Sequence, residues 1–265
     1  MGIDPHAALL DDWGLPDSVE GLTSFSDAVL SATAGRVGII KPQVSFFERF
    51  GSRGFAVLES VCQKATEAGQ VVIMDIKRGD IGSTMDAYFD AWLGKSAPFV
   101  CDAVTVSPFL GIESLNGFMA EANERGKGVI VLTATSNPEG AALQQAKTND
   151  GNTLSASIWN RLGELNSVTG VPGQPGPFGA VIGATLKLKT FQLESVLGEQ
   201  NSTPTPILAP GFGAQGARLQ DIERLFGGST GNVIASVSRS VLATGAAGLD
   251  DAIDSAKAEL AEGLA

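Results

Sequence analysis

Val71-Val-Ile-Met-Asp75-Ile-Lys77-Arg-Gly-Asp80 passes from an apolar, β-branched run straight into a cluster of charge. A short apolar run closed by a glycine-containing polar segment is the pattern of a buried parallel strand ending in a loop. Residues two apart in an extended chain share a face, so Asp75 and Lys77 are expected to point together while Ile76 turns away. Asp80 follows in the loop. Comparable runs recur at 37–40, 103–106, 129–132, 180–182, 207–209 and 233–237, each bounded by Gly, Pro or polar residues. Between them lie amphipathic stretches at 55–67, 84–93, 112–125, 154–166 and 219–226. Such alternation of strand and helix predicts a parallel sheet, open or closed. Gly2-Ile-Asp4 reads as the tip of one more strand, and eight strands favour the closed (β/α)8 TIM barrel. No Pro- or Ser-rich linker divides residues 1–265, so a single domain is expected.

Composition narrows the function. The 29 acidic residues against 18 basic ones give a net charge of −11, a field that disfavours nucleic acid and anionic membranes as partners. An anionic ligand would therefore need a local basic cluster. No apolar run reaches the roughly 20 residues of a membrane span. The first residues carry neither a basic run nor an apolar stretch of signal length, so the cytoplasm is expected. Cys62 and Cys101 lack metal-ligand spacing and read as buried thiols in a reducing compartment. The lone histidine, His6, is expected to pack or cap a turn.

The charged residues gather at strand ends, where enzymes of this architecture build their sites. Lys41 closes the run Ile39-Ile-Lys41-Pro42, one strand before Asp75 and Lys77. Two lysines and two aspartates would converge there, either as catalytic machinery or as a salt-bridge network tying strand ends together. Pro210-Gly211-Phe212-Gly-Ala-Gln215-Gly216 follows the seventh strand, counting Gly2-Ile-Asp4 as the first, and its glycines would let backbone N–H groups approach an anion. Ser238-Arg239-Ser240 follows the last strand and offers a guanidinium suited to phosphate. Those two positions are the usual phosphate site of a (β/α)8 barrel.

Asp75-Ile-Lys77-Arg-Gly-Asp80-Ile81-Gly-Ser-Thr84 resembles the signature of the orotidine 5′-phosphate decarboxylase family, in the Arg-Gly-Asp-Ile-Gly form found in actinobacteria and some other bacteria. Gly2-Ile-Asp4-Pro-His6, Lys41-Pro-Gln43-Val-Ser-Phe-Phe-Glu48, Val-Ser107-Pro108-Phe-Leu-Gly111, Thr135-Ser136-Asn137-Pro138-Glu-Gly140 and the Gln215 turn are similar to it too. The likeness runs from Gly2 to about Leu242. It implies decarboxylation of orotidine 5′-monophosphate to UMP, the last step of de novo pyrimidine synthesis, without metal or organic cofactor. It implies that Lys77 protonates C6, that Asp75 lies beside the substrate carboxylate, and that Lys41 bonds the ribose. Asp4 would contact the ribose hydroxyls, Ser136 the pyrimidine amide, with Asn137 beside it also binding substrate, and Gln215 and Arg239 with Pro210, Gly211 and Phe212 the phosphate. Asp80, Ile81 and Thr84 would serve the neighbouring subunit, which implies a homodimer with shared sites.

Two other readings stay open. One is a magnesium-dependent sugar-phosphate decarboxylase or aldolase of the same scaffold, such as a 3-keto-L-gulonate 6-phosphate decarboxylase. The other is a non-catalytic nucleotide-binding homologue. The family pattern also has a short helix and a complete first strand before Gly2, and commonly valine where Met1 stands. The expectation is a misassigned start, a GTG valine codon read as initiator methionine; a truly truncated first strand would lower stability.

Overall fold

The apolar runs become strands close to their expected places in the computed structural model, which describes residues 1–198 and 202–265. They are β1 (Gly2–Ile3), β2 (Ile39–Pro42), β3 (Val71–Arg78), β4 (Ala103–Val106), β5 (Gly128–Ala134), β6 (Phe178–Ile182), β7 (Ile207–Pro210) and β8 (Val233–Ser236). They form an eight-stranded sheet in chain order, β1 to β8. The pairs β1–β2, β2–β3, β5–β6, β6–β7 and β7–β8 are parallel. Each strand beside its successor, with helical crossovers between, is the strand order of the (β/α)8 barrel. After β6 the described residues hold 3-10 turns, Leu188–Phe191 and Glu194–Leu197, in place of an α-helix.

Contacts divide the chain into two units: Met1–Ile76 with Ala87–Thr105 and Val237–Ala258, and Lys77–Asp86 with Val106–Ser236 and Glu259–Ala265. In the first, the helix Val19–Thr33 starts at Ser18, whose hydroxyl accepts the Gly21 N–H at 3.3 Å. This N-cap satisfies a donor that the first turn leaves open. The helix buries Leu22, Phe25, Val29 and Leu30 and packs on Gly51–Glu67, which buries Leu58, Val61 and Cys62. Each such side chain contributes about 1.5–3 kcal/mol of burial free energy. Cys101 is buried as well, and desolvation pushes the Cys62 thiol far up. Lys64 pairs with Asp27 across these two helices, and Arg36 reaches Asp250 and Asp254. His6 caps the short helix Ala7–Asp12, its Nδ1 accepting the Leu9 N–H at 3.1 Å.

β1 is only two residues long, yet it is bonded along both edges. Gly2 N–H donates to Val237 O at 2.7 Å, while Lys41 N–H donates to Met1 O at 2.9 Å and Gln43 N–H to Ile3 O at 3.1 Å. Ile3 is fully buried. Those bonds hold Asp4, the next residue, at a strand end.

In the second unit the longest ladder joins β5 to β6, from Val129 opposite Phe178 to Ala134 opposite Ile182, with a bulge between Leu132 and Ala134. The helix Leu154–Thr169 packs on both strands. Its Asn166 is fully buried: Nδ2 donates to Phe178 O at 2.8 Å and Thr205 Oγ1 at 3.0 Å, and Oδ1 accepts Phe178 N–H at 3.0 Å. That amide replaces the ladder partner missing at the strand's first residue.

Candidate active site

Three strand ends of the first unit supply one buried polar array. Lys41 stands near the end of β2, Asp75 within β3 and Thr105 within β4, all with little or no exposure. Lys41 Nζ donates to Asp75 Oδ2 at 2.9 Å, and Thr105 Oγ1 donates to Asp75 Oδ1 at 2.8 Å. Both oxygens of the carboxylate are thereby held by donors, which a buried charge requires. Burial works to lower the Lys41 pKa, but the charges of Asp75 and Asp4 and the bond to Asp75 more than offset it. The ammonium is therefore held above its ordinary 10.5. Asp4 joins the same array: its Oδ2 accepts from Ser238, and its Oδ1 is buried with no hydrogen-bond partner. An unsatisfied buried carboxylate oxygen costs about 1–3 kcal/mol or more until a donor arrives. Burial, and then the nearby Lys41 charge, bring the Met1 amine down to about 5; the Asp4 charge works to raise it. Arg239 follows Ser238, exposed at the start of the short helix Arg239–Leu242.

Lys77, near the end of β3, adopts a left-handed backbone with φ 50°. Its side chain is exposed. Non-glycine residues rarely sit there, and the strain of about 1–3 kcal/mol that they carry gathers at functional sites. Gly79 follows because a Cβ there would overlap the carbonyl of Ser107, whose N–H bonds Arg78 O at 2.7 Å. Asp80 turns back on its own backbone, Oδ1 accepting the Ile81 N–H at 2.8 Å, while Ile81 and Thr84 stand exposed.

The second unit brings the other two predicted loops into contact. Ser136 Oγ donates to Gln215 Oε1 at 2.8 Å, linking the turn after β5 to that after β7. Gly211 has φ 112°, and a Cβ there would stand 3.3 Å from Gln215 Oε1, so glycine keeps this turn open. Phe212 is buried at 3% exposure and anchors the turn; what it can offer a ligand is its backbone. Pro210 ends β7, and Asn137 is exposed beside Ser136. Among the described residues no three His, Cys, Asp or Glu side chains gather to hold a metal ion.

The model of the Orotidine 5′-phosphate decarboxylase / HUMPS family matches residues 3–248. The chain belongs to this family. A Streptomyces coelicolor orotidine 5′-phosphate decarboxylase is 50% identical over 247 residues, which are 92% of this chain and 84% of that relative. Its counterpart in Salinispora tropica is 48% identical over 246 residues, 92% and 84% of the two chains. A crystal structure from Streptomyces avermitilis ma-4680, provisionally given the same name, superposes with a TM-score of 0.90 at 47% identity, covering 100% of this chain and 90% of its own. The fold is thus the (β/α)8 barrel of the orotidine 5′-phosphate decarboxylases. Sequence reading missed Thr105 and Ser238, the side chains that hold Asp75 and Asp4. Their only signal was a hydroxyl in an apolar strand run and another beside Arg239.

Proposed function

We propose that this chain is a carboxy-lyase converting orotidine 5′-monophosphate to UMP and carbon dioxide. The observation that carries the assignment of roles is the buried Lys41–Asp75–Thr105 array with the orphaned Asp4 oxygen beside it. A sugar hydroxyl is the donor that Asp4 Oδ1 lacks, and Lys41 has ammonium hydrogens to offer the same ribose.

Loss of carbon dioxide from C6 leaves an electron pair in the ring plane, where the pyrimidine π system does not spread it. A fixed cation must therefore meet that charge as it develops. Lys77 takes this part and then delivers its proton to C6. Asp75, fixed by Lys41 and Thr105, stands against the departing carboxylate, and the loss of that carboxylate's charge relieves the crowding. Ser136 and Asn137 meet the pyrimidine amide. Gln215, Arg239 and the backbone of Pro210, Gly211 and Phe212 take the phosphate, whose binding energy holds the loops closed.

Asp80, Ile81 and Thr84 serve the site of a second copy in a homodimer. Supporting this, Ile81, Phe109 and Leu110 are 60%, 72% and 52% exposed on the adjoining turns after β3 and β4. Exposed apolar side chains so grouped mark an interface. Residues 1–265 act as one catalytic domain, a reading supported by the unbroken strand order. Free thiols and a nucleotide substrate support the reading of a cytoplasmic enzyme.

The test is the fall in orotidylate absorbance with and without EDTA. Turnover unchanged by EDTA supports the reading; turnover that needs magnesium overturns it. Lys77→Ala is expected to abolish turnover while UMP still binds, and retained turnover would refute the role given to Lys77.

A further inference from the structure

β5 ends at Ala134, so the N–H of Thr135 has left the ladder and needs another acceptor. Gln144, in the one-turn helix Ala141–Gln144, supplies it: Oε1 accepts the Thr135 N–H at 2.9 Å. The other end of the same amide, Nε2, donates to Thr135 Oγ1 at 2.7 Å. A backbone N–H can only donate, so it fixes Oε1 on its side and leaves Nε2 for the hydroxyl. The hydroxyl, having accepted, passes its own proton on to Asn137 Oδ1 at 2.7 Å, and Asn137 Nδ2 donates to Glu139 Oε2 at 3.2 Å. Gly140 closes the knot, since a Cβ there would lie 3.0 Å from Gln144 Nε2, 3.1 Å from Thr135 Oγ1 and 3.2 Å from Asn137 Oδ1.

Thr135 and Asn137 flank Ser136, whose hydroxyl is the group directed at Gln215. Every polar atom of the Gln144 amide is spent on the residue before Ser136, and the chain of bonds continues into the residue after it. We propose that Gln144 is a positioning residue for base recognition: it clamps the 135–137 turn so that the Ser136 hydroxyl is presented at one fixed place and angle. The proposal rests on the reading of Ser136 as the pyrimidine contact. It assigns specificity to a side chain outside the family signature, and one that touches no part of the substrate itself.

The experiment measures binding of UMP and of ribose 5-phosphate, which lacks the base, by calorimetry. It compares the wild type, Gln144→Leu, Ser136→Ala and the double variant. Losing both amide bonds is expected to weaken UMP roughly 5- to 30-fold. Ribose 5-phosphate should change by no more than about twofold, and the double variant should bind UMP like Ser136→Ala alone, the non-additivity of residues acting through one contact. Equal loss for both ligands, additive losses, or wild-type UMP binding by Gln144→Leu would each overturn the proposal. Wild-type UMP binding by Ser136→Ala instead overturns the reading beneath it, and the proposal falls with it. Should Gln144→Leu fail to fold, Gln144→Glu keeps an acceptor for the Thr135 N–H. It enters the same cycle with a smaller loss expected, and wild-type binding there refutes the clamp.

Discussion

Thr105→Val removes one hydroxyl from a position with no exposure and leaves the side-chain shape nearly intact. The hydroxyl donates to Asp75 Oδ1 at 2.8 Å, while Lys41 holds Oδ2 at 2.9 Å. A hydrogen bond to a charged group is worth about 1.5–3 kcal/mol, and a buried carboxylate oxygen deprived of a donor incurs that cost in full. Valine also lets the carboxylate rotate about its Lys41 contact, which is the freedom Asp75 must not have if it stands against the departing group. If the whole loss falls on the transition state, kcat drops roughly 10- to 150-fold. If it falls equally on all folded states, kcat is kept and the protein loses those same kilocalories in urea unfolding. Orotidylate absorbance gives kcat and KM, and denaturant titration gives the stability. The expectation is a fall mainly in kcat, with Thr105→Ser restoring most of it. A Thr105→Val protein with wild-type kcat/KM and wild-type stability would refute the argument that Thr105 fixes Asp75.

Titration of Lys41 gives a second expectation. Its folded pKa is raised above the ordinary 10.5, so the stability it contributes is complete below that value and lost as pH climbs through the folded pKa. The difference in unfolding free energy between wild type and Lys41→Met should stay flat from neutrality to about pH 10 and shrink above it. A difference that shrinks below pH 9 would contradict this. In the second unit, Asn166→Leu strands the Phe178 N–H and carbonyl, at about 1–3 kcal/mol each. A loss of roughly 2–6 kcal/mol is expected by chemical denaturation, and a neutral result would show that water replaces the amide.

Strand positions were legible because β-branched runs have few other uses; β4 at Ala103–Val106 matches the apolar run residue for residue. β2 lies two residues later than its run, since pairing with β1 at Gly2–Lys41 and Ile3–Pro42 draws the backbone of Lys41 and Pro42 into the ladder. Neither of those residues looks like a strand by propensity. The helix Val19–Thr33 was not singled out, although Ser18 and the buried set Leu22, Phe25, Val29 and Leu30 carry its signature. At the site, charge revealed Lys41 and Asp75 directly. Thr105 stayed hidden because a threonine in a strand needs no functional reason to be there. Gln144 stayed hidden for a different cause: its meaning depends on a fold-back over nine positions to Thr135 that no periodicity encodes.

With the proton-donor role proposed for Lys77, the left-handed backbone there sets folding and activity against each other at one position. An L-residue in that region carries about 1–2 kcal/mol that glycine would not. A library screened for heat resistance alone would therefore drift towards glycine at 77 and collect well-folded proteins without that lysine. Only a screen that also demands pyrimidine synthesis, such as growth without added uracil, would hold the lysine in place. The position is thus a built-in reporter of which pressure a population of variants has been under.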